Sequence, residues 1–383
     1  MIDFIKRIHP LRLAPVSPDM DLFVEAACQE LPFLVHEYQS GLRLNDWIIP
    51  QSWEVKKCLV DGLSITHPLA VWGYSNSGEG FHKTEENEYS MFSYPYKWEW
   101  YYHPEICDWG VSVTGNYIEL ECEKKPGKLY VLEYTIPGRS DAKVILHAHN
   151  CHAAQANDDM SGVAVGMQVM KRIKSFNGKH DATYTLLVSP EIYGPLFWMN
   201  GMNDLNKEID GTIKLASLGG KGSLVFQKPA LAQNALYMDY VNEFTTFRKV
   251  HGNDETVFEA YGIPSGSLTR YPFPEYHTSL DIPERLSPYH LKESAWAIES
   301  WIQDLEKGIL PEALFTGLPR LNHRGLYRPP NDPLHGLMNL LPTYMLRKYT
   351  IGSIAANHQL DYKTVYDYIK KWEEAGLVRL PRQ

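Results

Sequence analysis

Residues 144–162 run from an aliphatic strand into a helix through His147, His149, Cys151, His152, Asp158 and Asp159. Residues 144–146 are β-branched and aliphatic and read as a buried strand, while 161–173 have the apolar spacing of a helix. In open α/β sheets, sites form beyond the carboxyl ends of the strands. His149, Cys151 and His152 leave the predicted sheet there, and Asp158 and Asp159 stand at the helix start. A helix cap requires one carboxylate and no imidazole, so capping accounts for only part of this pattern. Imidazoles and a carboxylate converging at a strand end are how a hydrolase holds a metal ion.

The rest of the chain narrows the setting. Its 383 residues exceed one ordinary core, so two or three domains are expected. With 44% hydrophobic and 12% aromatic residues it belongs among globular proteins. The net charge of −9 argues against a body that binds nucleic acid or anionic membranes. Five cysteines, Cys28, Cys58, Cys107, Cys122 and Cys151, form no CxxC pair, which excludes a cysteine-only zinc site and points to a reducing compartment. No secretion leader or membrane-length apolar run is read, so a cytoplasmic location is expected.

Residues 20–38 predict an amphipathic helix with Leu22, Phe23, Ala26, Ala27 and Leu31 on one side. These belong to an N-terminal helical part, residues 1–46. Short aromatic and β-branched runs punctuated by Pro, Gly and Asn then predict a small β-rich insert over 47–134. Across 135–315, strands at 144–149, 183–189, 212–218 and 267–271 alternate with helices at 161–174, 231–244 and 288–305. That order predicts a mostly parallel sheet covered by helices. Residues 316–333, rich in Pro, Gly, Asn and Arg, read as a linker.

Residues 334–383 form a last unit, with helices at 338–349, 351–358 and 362–375 and a short strand, resembling a winged helix-turn-helix. Seven cations against four carboxylates give it a charge of +3. Glu373 and Glu374 beside Lys370 and Lys371 blunt any phosphate-binding face, so packing or interaction is expected of it.

Three further pieces bear on the chemistry. The strand 183–189 delivers Glu191 to the same sheet edge as His152, and His277 follows the strand that carries Leu268 to Tyr271. Asp254 and Glu255 stand in a Gly/Asn-containing loop, where acidic residues are usually solvated. Other hydrolase classes are excluded by spacing. There is no Gly-x-Ser-x-Gly elbow, Cys151 and His152 are adjacent and point apart in an extended segment, and the 219–223 run lacks phosphate-loop spacing.

His152, the run Asn157-Asp158-Asp159-Met160-Ser161-Gly162, Glu191, and Tyr276-His277 resemble the zinc aminopeptidases of metallopeptidase clan MH. The chain is most similar to the bacterial aminopeptidase-like family with an inserted small β domain and a C-terminal winged helix. Asp46-Trp47, Pro50, Trp53, Tyr101, Pro104, Trp109-Gly110, Pro137-Gly138 and Gly194 carry that likeness across nearly the whole chain. The resemblance implies a three-layer zinc-exopeptidase-like α/β fold. It makes His152 a metal ligand, Asp158 the carboxylate that bridges two metals in dinuclear relatives, Glu191 the general base and His277 a late ligand.

Departures from that pattern bear on the metal count. Ile192 stands where dinuclear relatives carry a second glutamate and Leu218-Gly219-Gly220 replace a ligating aspartate, while Ala153-Ala154, in place of the closer family's Pro-Ser, bear on substrate preference. One zinc held by His152, Asp158 and His277 is therefore expected, with Glu191 activating water. Asp254, Glu255, Arg270 and Tyr276 are the candidates for substrate binding. The expected activity is that of an aminopeptidase or amidohydrolase on a small peptide or aminoacyl amide. The competing class is a degenerate peptidase-fold binding protein that uses the insert and winged helix for interactions. The other partner expected is a second copy of the chain, through the insert or winged helix, and neither nucleic acid nor membrane is expected.

Overall fold

β-branched and aliphatic runs separated by helical segments build, in this computed structural model, an eight-stranded sheet. The structure describes residues 1–60, 62–64, 78–81, 117–139, 142–150, 152–153, 155–175, 180–201, 209–231, 240–250, 252, 254–276, 280–306, 310–347 and 349–380. The strands are β1 (Leu34–Gln39), β2 (Lys128–Ile136), β3 (Lys143–His149), β4 (Thr183–Ser189), β5 (Gly211–Ala216), β6 (Ser223–Gln227), β7 (Glu243–Thr245) and β8 (Ser265–Tyr271). Their spatial order is β1-β2-β4-β3-β5-β8-β6-β7.

The central four, β4-β3-β5-β8, are parallel, and antiparallel strands flank them on both sides. Parallel strands buried on both faces read as continuous apolar runs, and β3 and β4 do so. Register places His149 opposite Ser189 and His147 opposite Lys214. The polar ends of three neighbouring strands thus share one edge.

Side chains alternate across the sheet, so its two faces carry separate cores. Val144, Leu146 and Ala148 point to one face, against helices α1 (Ile2–Ile8), α2 (Met20–Glu30), α3 (Gly162–Lys174) and α6 (Pro288–Glu306). Ile145 and Leu187 point to the other, against α4 (Tyr193–Asn200) and α5 (Asp254–Ala260). Each fully buried Leu or Ile here is worth about 1.5–3 kcal/mol. His147 and His149 lie on the α4/α5 side, two and four positions after Ile145.

Two expected helices are corrected. The predicted 20–38 helix ends at Glu30, because Pro32 cannot continue it, and 34–39 pairs antiparallel with β2 instead. Leu22 is exposed, and Met20 joins Phe23, Ala26, Ala27 and Leu31 in the core. The predicted 231–244 helix lies largely on residues outside those described, but its end enters β7, which pairs parallel with β6. β6 itself runs antiparallel to β8 and breaks the simple β/α alternation.

In the insert, Ser52–Val60 and Tyr117–Lys125 form a four-stranded sheet with Leu63–Ser64 and Gly78–Phe81. Tyr101, Pro104 and Trp109 lie outside the described residues. β2, placed by the sequence reading mostly at the end of the insert, is a strand of the large sheet.

At the C-terminus, α7 (His335–Leu346), α8 (Ile351–His358) and α9 (Tyr362–Glu374) pack around Leu337, Leu341, Ile354, Val365, Ile369 and Trp372. Leu321 and Leu326, within the stretch read as a linker, are buried in that same core, and Tyr368 donates its hydroxyl to the Leu326 carbonyl. The strand Val378–Arg379 pairs with Glu312–Ala313. Asp210 fastens this unit to the sheet, since it accepts the Lys143 N–H and also holds Arg347 and the Tyr349 hydroxyl.

Asp210→Ala is expected to lower stability by about 1.5–3 kcal/mol, the usual worth of a hydrogen bond to a charged group. Urea unfolding should show this loss, and limited proteolysis should show faster cleavage within 310–333.

Candidate metal centre

The turn between β3 and α3 is held by side chains that each take one backbone N–H from the loop after β5. Asp159 accepts from Ser217, Ser161 from Leu218, and Asn157 from Gly219, at 3.0, 2.7 and 2.8 Å. Ser217 can present its N–H because it turns to φ +56°, which also ends β5 at Ala216. Asp159 further accepts the N–H groups of His149 and Gly162, tying strand end to helix start. A Cβ at Gly162 would sit 2.2 Å from the Leu215 carbonyl oxygen, so only glycine lets α3 begin this close to β5. From the far side, Asp281 accepts the N–H groups of Asn157 and Asp158 at 2.7 and 3.0 Å.

This scaffold turns Asp158 toward two imidazoles. Its carboxylate oxygens lie 3.1 Å from His149 Nε2 and 3.4 Å from His152 Nε2. One ligand atom from each of the three residues fits within 4.8 Å of the others, and all three residues are buried. Ligands about 2.0–2.2 Å from a tetrahedral zinc are themselves about 3.3–3.5 Å apart, close to the two Asp158–imidazole separations. His152 Nδ1 bonds the Ala153 carbonyl at 3.0 Å, which puts the ring proton on Nδ1 and leaves the Nε2 lone pair toward Asp158.

Charge reinforces the fit. Burial alone would lower the His149 pKa, but the charges of Glu191 and Asp159 overcome it and carry the ring up to about 9. The same negative potential favours a divalent cation in place of that proton. Burial pushes the carboxyls of Asp159 and Asp281 up to about 7, against the hydrogen bonds they accept.

Glu191 stands at the turn after β4, with Oε1 3.5 Å from His149 Nδ1 and its side chain 15% exposed, open enough for water. Lys214 Nζ donates to the same Oε1 at 2.6 Å. Burial would raise the Glu191 pKa, but His149 and Lys214 outweigh that and keep the carboxyl below its usual range. The next residue, Ile192, adopts φ +60°, unfavourable for a β-branched residue, and its N–H is held by Asp254 Oδ1 at 2.7 Å.

The structure therefore brings His152, Asp158 and Glu191 together, while His277 lies outside the described residues. His149, seen in the sequence only as a strand-end residue, belongs to the cluster; its spacing of three from His152 was the available signal. Asp254 and Glu255 are buried at the start of α5, not solvated in a loop. Burial would raise the Asp254 carboxyl, but Lys214 and His147 hold it down at about 2. Arg270 is buried, and its guanidinium is committed to Glu293, Ser294 and the carbonyls of Gly222 and His290. Those contacts set it apart from a residue poised to grip a substrate. Tyr276 packs its ring on Phe273, 5.9 Å away. Beside Asn157, a cavity of about 470 Å³ opens between Lys221, Phe273, Leu280 and Arg285.

This sheet and its C-terminal unit have counterparts in known proteins. The chain belongs to the DUF4910 family, a domain of unknown function, whose model matches residues 2–308. Residues 343–383 match a helix-turn-helix domain. A curated protein of Clostridium acetobutylicum, named for polysaccharide biosynthesis and for an aminopeptidase-like domain, is 25% identical over 324 residues, 73% of this chain and 71% of the relative. A crystal structure from the same organism, described as that of a peptidase, has a TM-score of 0.70 at 20% identity, covering 99% of this chain and 96% of that one. A zinc aminopeptidase of Bacillus subtilis has a TM-score of 0.54 at 12% identity, covering 79% of this chain and 93% of that one. The fold is thus aminopeptidase-like, a mixed α/β architecture with a large, mostly parallel sheet and a C-terminal helix-turn-helix domain.

Removing the carboxylate of Asp281 should loosen the backbone that aims Asp158. Asp281→Ala is expected to weaken zinc binding about 10–100-fold, the usual effect of losing an outer-shell partner. Competition with a chromogenic chelator would measure it.

Proposed function

We propose that this chain is a zinc-dependent hydrolase, an aminopeptidase or amidohydrolase acting on a small peptide or aminoacyl amide. The observation that carries the reading is the convergence of His149, His152 and Asp158, with the carboxylate of Glu191 3.5 Å from His149. One zinc is assigned to that cluster, and the sequence resemblance adds His277 to its ligands. When bound, zinc supplies Lewis acidity, acidifying water and polarising a carbonyl.

The chain's own groups do the rest. Glu191, ionised and with Oε1 tethered by Lys214, takes the proton of the attacking water and delivers it to the leaving amine nitrogen. Ile192, locked by Asp254, fixes the backbone from which Glu191 projects. Buried carboxylates outnumber cations around the cluster, a field that favours the free α-amine of an aminoacyl substrate. The name of the C. acetobutylicum relative supports including amino-sugar amides with peptides in a substrate screen. Cytoplasmic residence remains part of the proposal; among the described residues no helix is long and apolar enough to cross a membrane. The helix-turn-helix unit is assigned to packing and self-association.

Elemental mass spectrometry of the purified chain should find about one zinc, lost in His277→Ala. Absence of metal even after zinc is supplied would replace this reading with that of a binding protein on a peptidase scaffold. Glu191→Gln should retain zinc while turnover falls about 10²–10⁴-fold. Full activity in that variant would remove Glu191 from the role of base.

A further inference from the structure

Lys214 lies in the middle of β5, flanked by Ile213 and Leu215, and is 2% exposed. A buried ammonium is costly unless paired, and replacing a buried ion pair by apolar side chains is often neutral or stabilising. Stability alone therefore does not call for a lysine here. Its Nζ donates to Glu191 Oε1 at 2.6 Å and also interacts electrostatically with Asp254 and Glu255. Glu191 follows β4 and Asp254 and Glu255 open α5, and all three residues are buried or nearly so.

We propose that Lys214 is a built-in cation of the site that positions the base: by anchoring Oε1 it fixes the orientation of the Glu191 carboxylate toward the attacking water. Lys214 is in these terms a positioning residue. Register supports the assignment, because Lys214 stands directly opposite His147 on β3, and His147 Nδ1 approaches Asp254 at 3.7 Å. The ammonium thus sits one strand away from the cluster of His149, His152 and Asp158 rather than inside it. The inference rests on the hydrolase reading above and specifies how the base of that site is held.

The test uses the full chain dialysed against zinc, with bound metal counted by elemental mass spectrometry. The wild-type chain, Lys214→Arg and Lys214→Ala should each hold about one zinc, so that a loss of activity in the alanine variant is not a loss of metal. On leucine p-nitroanilide, Lys214→Ala should lose roughly 100-fold in kcat, the scale of a disabled general base, with KM within about threefold. Ethylammonium should restore part of that kcat in a saturable way, and tetramethylammonium, which lacks N–H donors, should not.

One zinc in Lys214→Ala together with undiminished kcat overturns the proposal, as does a loss of kcat that ethylammonium leaves unchanged. If the alanine variant does not fold, Lys214→Met, which keeps the volume of the stem, takes its place. An unchanged kcat in that variant is equally fatal. A wild-type chain without zinc overturns both this inference and the hydrolase reading. One zinc in both chains, with kcat unchanged, defeats only the inference.

Discussion

Everything at the site hangs on the carboxylate of Asp159. It gathers N–H groups from His149 at the end of β3, Gly162 at the start of α3 and Ser217 after β5. A buried carboxylate is costly to desolvate, and several backbone donors offset that cost while fixing three chain segments relative to one another. Ser161 and Asn157 extend the same stitching by one residue each. Asp158, the immediate neighbour of Asp159, is thereby aimed at His149 and His152 without having to hold the backbone itself. A ligand and its support are adjacent in sequence and divided in task.

The electrostatic design follows from that rigidity. Asp158, Asp159, Glu191, Asp254 and Glu255 are gathered within or beside one buried region, with Lys214 as the resident cation. Such an excess of negative charge cannot persist away from water without protons, cations or donors to balance it. Backbone N–H groups serve Asp159, Lys214 serves Glu191, and the charges of Glu191 and Asp159 raise the pKa of the His149 imidazole. A divalent ion held by His149, His152 and Asp158 would take the place of the His149 proton in that balance.

Some of this was legible in the sequence because it is local. The strand 183–189, the helix 351–358 and the helix starting near Gly162 follow from apolar periodicity and agree with the structure. His152, Asp158 and Glu191 stand out because polar residues at the ends of apolar strands are rare without a purpose. Less legible were features set by partners distant in the chain. Residues 34–39 look helical by composition, yet they become a strand because β2, nearly a hundred residues later, offers an antiparallel edge. Lys214 carries no motif, and only the register against β3 shows what it faces. Arg270 looks available in sequence, whereas Glu293 and Ser294 on α6 engage it.

The sequence by itself determined the alternation of strands and helices, the edge at which the chemistry gathers and the residue types available there. These depend on side-chain periodicity and on the chirality of strand–helix crossovers, which act over short stretches of chain. Tertiary structure alone decided that His149 joins His152 and Asp158, that Asp254 and Glu255 are buried rather than solvated, and that Lys214 anchors Glu191. Strand order and register bring together groups from separate strands, and burial magnifies charge interactions that water would screen at the surface.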